Sequence, residues 1–502
     1  MKDFKTLVNL ITKRGQKNIP LLYFNKDIEA YGKELELFLR TQSGEFMTDR
    51  DASVGIYDAD EPDHRYKMLK SRVKQKMLNH LYFLDFEDEH INSSNKYEEE
   101  CMRLLYFSRI LINEGEADVA EKLLNKCLYL SQEGEFTYIT ISCLELLKAV
   151  HTAHFRPIHF KNVNEEIQHY RSIYAIEEEA RDTYSYYKIL LSKSNHSRKK
   201  NLENAEIAIQ RMKELLEKEN SFEIFENYYQ LRLLYLQLNG NFKEIIELTK
   251  EVDNDYEYSK LNYKRFNINL NKQMRLYAHL KAKDYTNGLK YAEKTLGEFS
   301  RSSVSWFAFM ENYFLLAMHT KYVDLATSII QKITINTFFD KLPEADQERW
   351  NIYRGYLYFL APDESLLKNY DYNRYFVEIP EFDKSKAGLN TAILVLQFLN
   401  YLKEDKIGHI GSPVEEYTKY VAKYCVESFS KRSKVFYKLL TTVAKCGHDI
   451  RTIKVKTKYL ATKLKEIDMA GDVYEELEVL PYEQLWDIAI KYLKIIEVKA
   501  EL

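Results

Sequence analysis

The residues best placed to do chemistry in this chain are cations. Between 431 and 465, Lys431, Arg432, Lys434, Lys438, Lys445, Arg451, Lys454, Lys456, Lys458, Lys463 and Lys465 face a single acid, Asp449. Each cation that neutralises a phosphate adds salt-dependent affinity for nucleic acid, whatever the base sequence. Tyr437 and Tyr459 are interleaved with these cations and offer rings on which bases stack. A second basic stretch lies between His64 and His80, where Arg65, Lys67, Lys70, Arg72, Lys74 and Lys76 occur without an acid. The whole chain has a formal net charge of −3, so attraction to a polyanion must be local to these two stretches. The alternative for both is a solvated helix face matched to acids within the fold. For the 64–80 stretch, the neighbouring acids Asp85, Glu87, Asp88, Glu89, Glu98, Glu99 and Glu100 are the expected counterpart.

Other chemistry finds less support. His151, His154 and His159 lie close in sequence, but no cysteine or carboxylate completes a metal-ligand spacing around them. Asp85, Asp88, Glu89 and His90 read as an acidic loop facing water. Cys446-Gly447-His448 sets a thiol beside an imidazole, but adjacent residues rarely face each other as a dyad must, and Gly447 fits a helix C-cap. The sequence contains no GxxxxGK[ST] loop, HExxH pair or GxSxG elbow, and no GxGxxG after a strand. The expectation is a non-enzymatic protein with no cofactor and no metal.

The elements that would carry these residues are helices. Gly at 15 and Pro at 8 are sparse for 502 residues, as long helices with short joints require. Tyr at 40 is abundant, and a ring with a polar tip suits half-buried surface in a thin array. Thr48 with Asp51 forms a capping-box signature for a helix ending near Tyr57. Pro62 suits the first position of the next helix, whose buried face is Tyr66, Leu69, Val73, Met77 and Leu81. Helical pairs follow: 97–113 with 117–131, a helix over 136–153, then 164–192 and 201–218. The clearest are 222–238 with 242–252, 257–281 with 285–299, and 303–319 with 322–334. Further helices are expected over 344–360, 386–404, 413–429, 432–446, 448–467 and 481–498, the last burying Trp486 and closing the array. The aromatic stretch 369–384 is expected to be a docked loop or to include a short strand.

Three of these pairs carry a recurrent pattern: Tyr228, Leu231, Tyr235, Gly240, Phe242 and Ile246; Leu276, Asp284, Tyr285, Gly288, Ala292 and Leu296; Phe314, Ala317, Tyr322, Ala326 and Ile329. This resembles a degenerate tetratricopeptide repeat over roughly 97–335, with a period that drifts from about 34 toward 40 or more, so HEAT-like or irregular pairing stays open. The unit 48–82 resembles, in outline, a helix-turn-helix or winged-helix plan. The first resemblance implies an all-α fold, an α-solenoid of antiparallel helix pairs, that binds a protein or peptide on its concave face. Tyr228, Arg232, Tyr235, Tyr277 and Tyr313 are the candidates for that face. The second implies DNA or RNA contact through Arg65, Lys67, Lys70, Arg72, Lys74 and Lys76; the C-terminal counterparts are Lys434, Lys438, Arg451, Lys454, Lys456 and Lys458.

The organisation expected is a helical region at 1–95, repeats at 96–342, and a C-terminal helical region at 343–502. The five scattered cysteines, without a CxxC pair, suit reduced thiols in the cytoplasm. The first residues show no signal-peptide pattern, and the most apolar stretch, 392–402, is too short to span a bilayer. The expectation is a cytoplasmic adaptor that does not enter a membrane. The alternative is a nucleic-acid-linked regulator.

Overall fold

The computed structural model describes residues 6–7, 32–59, 63–81, 93–192, 195–257, 261–378, 387–404, 431–446, 449–467 and 477–501. Among the described residues the regular structure is entirely helical. Pro62, the acids at 85–89, His90, Gly447, His448 and the helix expected at 413–429 lie outside them.

The N-terminal unit holds α1 (Lys33–Gln42), α2 (Asp49–Tyr57) and α3 (His64–Leu81). Thr48 caps α2 in a complete capping box with Asp51, as the sequence pattern predicts. Leu37, Phe46, Ala52, Tyr66, Leu69 and Val73 form a small core of its own.

Then follow α4 (Ser93–Asn113), α5 (Ala117–Glu133), α6 (Thr137–Ala153), α7 (Pro157–Ser192), α8 (Asn195–Lys218), α9 (Phe222–Asn239), α10 (Phe242–Glu257), α11 (Ile268–Lys281), α12 (Tyr285–Thr295), α13 (Val304–His319) and α14 (Val323–Thr334). The C-terminal helices are α15 (Glu344–Leu360), the short α16 (Tyr372–Phe376), α17 (Ala387–Lys403), α18 (Lys431–Cys446), α19 (Ile450–Glu466) and α20 (Tyr482–Glu501). From α4 to α15 each helix packs against the next one in sequence. Contacts to the helix after that join α4 to α6, α7 to α9 and α11 to α13.

Most joints are made in one way. A helix end leaves its last four carbonyls without intrahelical partners. After α4, the Gly115 amide donates to the Ile112 carbonyl and the Glu116 amide to Leu111. The same pair of bonds recurs with Glu135 and Phe136 after α5, Phe155 and Arg156 after α6, and Gly240 and Asn241 after α9. Lys283 and Asp284 repeat it after α11, and Lys321 and Tyr322 after α13. In each joint the first residue of the pair is left-handed, with φ between 51° and 83°. This is the Schellman closure. Glycine fills that position only at 115 and 240.

The buried apolar residues of these helices fall into successive clusters. Cys101, Leu124, Cys143, Leu144 and Val150 bury one segment across α4–α6; Ala180, Met212 and Leu231 bury the next across α7–α9. Tyr229, Phe242, Ile245 and Ala278 join α9 to α11. The largest segment extends from Leu276 to Leu493 and takes in Phe314, Trp350, Phe436 and Trp486. Gly288 sits where α12 comes closest to its neighbours: a Cβ there would lie 3.0 Å from His279 Cβ and 3.1 Å from Leu316.

Buried polar groups tie the layers together. Glu177 on α7 accepts from Thr137 Oγ1 on α6 at 2.8 Å and from Ser221 Oγ at the start of α9. On α11, Arg275 pairs with Asp253 of α10 at 2.7 Å, and Asn271 accepts from the Tyr229 hydroxyl of α9. Glu311 on α13 accepts from Tyr353 of α15 at 2.6 Å and pairs with Arg349 at 3.1 Å. Burial raises the carboxyl pKa of Glu177, Asp253 and Glu311 against these partners.

Met77 and Leu81, expected on the buried face of α3, are exposed instead. Three expectations about element bounds and type also need correction. First, 257–281 is not one helix. Residues 261–267 are irregular, and α11 begins after Asn267, whose side chain accepts from the Leu270 amide. That irregular segment docks on the α5–α6 joint. Asn262 donates to the Glu133 carbonyl at 2.9 Å, Lys264 pairs with Glu133 at 2.8 Å, and Arg265 donates to the Glu135 carbonyl at 2.8 Å. Second, α7 starts at Pro157 and α8 at Asn195, both earlier than expected. Proline is well tolerated at the first helical position, where its missing amide costs nothing. Third, the 369–384 segment holds α16, not a strand, among its described residues. Tyr372 and Phe376 stack with centroids 4.6 Å apart, and Tyr375 and Phe376 are buried.

The joints predict opposite outcomes for paired substitutions. Lys283→Gly removes the cost of a left-handed side-chain-bearing residue and should raise unfolding free energy by about 0.5–1 kcal/mol in a urea titration; Gly240→Ala should lower it by about 1 kcal/mol.

Candidate interaction surfaces

The basic face of α3 is largely neutralised inside its own unit. Arg65 bonds Asp63 at 2.6 Å, Lys70 bonds Asp49 of α2 at 2.5 Å, Lys76 bonds Glu34 of α1 at 2.5 Å, and Arg72 lies 3.6 Å from Glu34. The Lys70 hydrogen bond, with one from Tyr66, holds the Asp49 carboxyl below its ordinary pKa. Lys67 and Lys74 are exposed. Among the described residues the counter-charges come from α1, α2 and the residue before α3; the expected acids at 85–89 lie outside the described residues. Exposed pairs of this kind add little stability but take up cations that would otherwise meet phosphates.

The five residues proposed for a partner face separate into two groups. Tyr228, Arg232 and Tyr235 lie at i, i+4 and i+7 on one half-buried face of α9, with Tyr228 and Tyr235 packed partly against the core. Arg232 donates to the Tyr228 hydroxyl at 3.2 Å and pairs with Glu244 of α10 at 3.3 Å, which fixes its fork. Tyr277 and Tyr313 are core residues instead. Both are buried, and Tyr277 meets Phe242 edge-on with centroids 6.0 Å apart. They offer no surface.

The C-terminal run divides as well, and its division is the larger surprise. Arg432, the second residue of α18, is 1% exposed. Its guanidinium pairs with Glu478 at 2.8 Å and with Glu483, and donates to the carbonyls of Leu464 at 2.9 Å and Ile467 at 3.0 Å. One side chain thus joins α18, the end of α19 and the start of α20. Burial alone would favour neutral Glu483, but the Arg432 hydrogen bond and charge prevail and lower its pKa. Next to this clamp, His319 of α13 is held at a pKa of about 4, chiefly by burial, with Nε2 3.1 Å from the Glu478 carbonyl.

The cations of α19 behave oppositely. Arg451, Lys454, Lys456, Lys458, Lys463 and Lys465 are exposed, and Ile450, Ile453, Thr457 and Leu464 face inward. Tyr459 is 71% exposed and Val455 78%. On α18, Lys438 and Lys445 are exposed and Lys434 is half-buried, while Tyr437 is core and offers no ring.

The remaining candidates are structural. The His151 and His159 rings meet at a tilt of 46° with centroids 5.2 Å apart, and His154 Nε2 lies 3.3 Å from Asp118. Among the described residues no group of three or more His, Cys, Asp or Glu is arranged to hold a metal ion. Cys101, Cys127 and Cys143 are buried free thiols, and hydrogen bonding with Cys127 together with burial raises the Cys101 pKa, which suppresses the reactive thiolate. A cleft of about 350 Å³ opens beside α20, floored by Met318, Val323, Leu360 and Ile488 and rimmed by Lys321, Asp487 and Lys491. Among the described residues no helix is long and apolar enough to cross a membrane.

Two variants separate the buried cation from the exposed ones. Arg432→Ala leaves two carboxylates without their partner and should cost about 3–5 kcal/mol of unfolding free energy near neutral pH. Because the Glu483 pKa is lowered in the fold, the pair's contribution is present above the ordinary glutamate range and is lost as pH falls through the lowered value. The gap between wild type and variant should therefore narrow in acid. Charge reversal at Lys454, Lys456 and Lys458 should leave the urea midpoint nearly unchanged.

No protein-family model, curated protein or solved structure matches this chain.

Proposed function

We propose that this chain is a non-enzymatic cytoplasmic adaptor: a tetratricopeptide-like array of antiparallel helix pairs that holds a protein or peptide partner on one flank. The observation that carries this reading is the recurrence of one joint geometry at six helix ends between α4 and α14. A reversal repeated with fixed geometry stacks hairpins side by side, buries one seam and leaves a continuous flank open. The half-buried stripe of Tyr228, Arg232 and Tyr235 suits such a flank. Tyrosine adds contact area at small entropic cost, and Arg232 is already oriented by Tyr228 and Glu244. The buried thiols are compatible with a reducing compartment.

The test is affinity capture by the full-length chain from a native lysate of its source cell, with and without nuclease, followed by cross-link mapping. A captured protein should survive nuclease and cross-link to α9. The double variant Arg232→Ala/Tyr235→Ala should lower its affinity at least about tenfold, the effect of losing one good interface anchor, while a thermal melt remains cooperative. Capture indifferent to the double variant, or lost on nuclease treatment, would contradict the adaptor role.

A further inference from the structure

We propose that the outer face of α19 is a binding site for single-stranded nucleic acid. Helical positions advance by about 100° per residue. With Ile450, Ile453, Thr457 and Leu464 turned into the core, Val455 and Tyr459 form an outward ridge. Arg451, Lys454, Lys458 and Lys465 line one side of that ridge, and Lys456 and Lys463 the other. The steps from Arg451 to Lys458 and from Lys458 to Lys465 are each seven residues, about 10 Å along the axis.

Three observations favour this occupant. The cations are free of carboxylates: among the described residues none pairs with Arg451, Lys454, Lys456, Lys458, Lys463 or Lys465, in contrast to Arg432 on α18 and to most of α3, and Lys456 Nζ meets the Cys446 sulfur at 3.7 Å. Asp449, the acid nearest the start of the helix, is spent as its N-cap on Thr452. The ridge carries at Tyr459 a ring that the fold leaves in solvent, with Lys463 Nζ 5.7 Å from its centroid, and one exposed acid, Glu466, follows on the same line at the end of the helix. A phosphate backbone running along either cation row brings unpaired bases over that ring, and a lysine beside it reinforces stacking. An acidic peptide would satisfy the cations but has no planar group for Tyr459, and a duplex keeps its base faces inside the stack.

The experiment uses the full chain and a fluorescein-labelled oligouridylate of about 20 nucleotides, read by anisotropy across a salt series. Wild type should bind at low salt. Lys454→Gln/Lys458→Gln/Lys465→Gln should flatten the log–log salt dependence by about 2, given about 0.7 per neutralised phosphate. Tyr459→Ala should weaken binding about 5- to 100-fold and leave the salt slope unchanged, because stacking releases no counterions. Ultraviolet cross-linking of wild type should map to the peptide 450–466, a readout independent of variant folding. The inference is overturned by no binding at low salt, by binding that the triple variant leaves intact, or by cross-links elsewhere. Equal binding of polyglutamate with indifference to Tyr459→Ala would identify an acidic protein as the occupant and overturn it too. A blunt-ended duplex preferred over the single strand would also overturn it.

Discussion

The structure depends on how the chain deals with the unsatisfied carbonyls at its helix ends. Each end needs partners, and a joint of a few residues has few amides to give. Placing one residue in the left-handed region turns two consecutive amides back onto the preceding turn and aims the chain into the next helix. The same closure after α4, α5, α6, α9, α11 and α13 sets how neighbouring helices face each other. Side chains then fill the seam, and residues such as Ala292, Ala317 and Ala326 sit fully buried where helices approach. Four of the six positions hold side chains that pay a strain cost, so the joint geometry is imposed by packing as well as by local preference.

Charge is sorted by the same architecture. Acids and bases inside the stack are committed to particular neighbours: Glu177 to Thr137 and Ser221, Asp253 to Arg275, Glu311 to Arg349 and Tyr353. Arg432 is the strongest case, since it satisfies two carboxylates and two carbonyls where three C-terminal helices meet. A buried ion pair of this kind costs desolvation and returns it only through complete hydrogen bonding, so its value lies in fixing which helix ends meet. The cations of α19 have no such duty. Their separation from Arg432 leaves this helix face exposed.

Much of the helix order was legible in the sequence, because apolar periodicity and the Thr48–Asp51 capping box are local signals. Helix α15 and the turn at Gly240 follow from residues within a few positions of each other. The joints at Lys283 and Lys321 were located by the sequence, but the left-handed residue at Glu135, Phe155, Lys283 and Lys321 was not legible, since no glycine stands at those positions. Nor was the docking of 261–267 on Glu133 and Glu135, which depends on residues about 130 positions apart. The eleven-cation run was visible as charge, but composition could not show that Arg432 turns inward to meet Glu478, 46 positions away. Tyr277 and Tyr313 fit a partner face by type and spacing alone. Their burial shows that tyrosine spacing cannot separate the core of packed helices from their surface.

The central claim is that these helices stack as an elongated array with an open flank. Small-angle X-ray scattering on the full chain tests it most directly. A compact globule of this length has a radius of gyration of about 23 Å. The proposed array predicts a value well above that and a distance distribution with a long tail. A value near 23 Å with a symmetric distribution would contradict it.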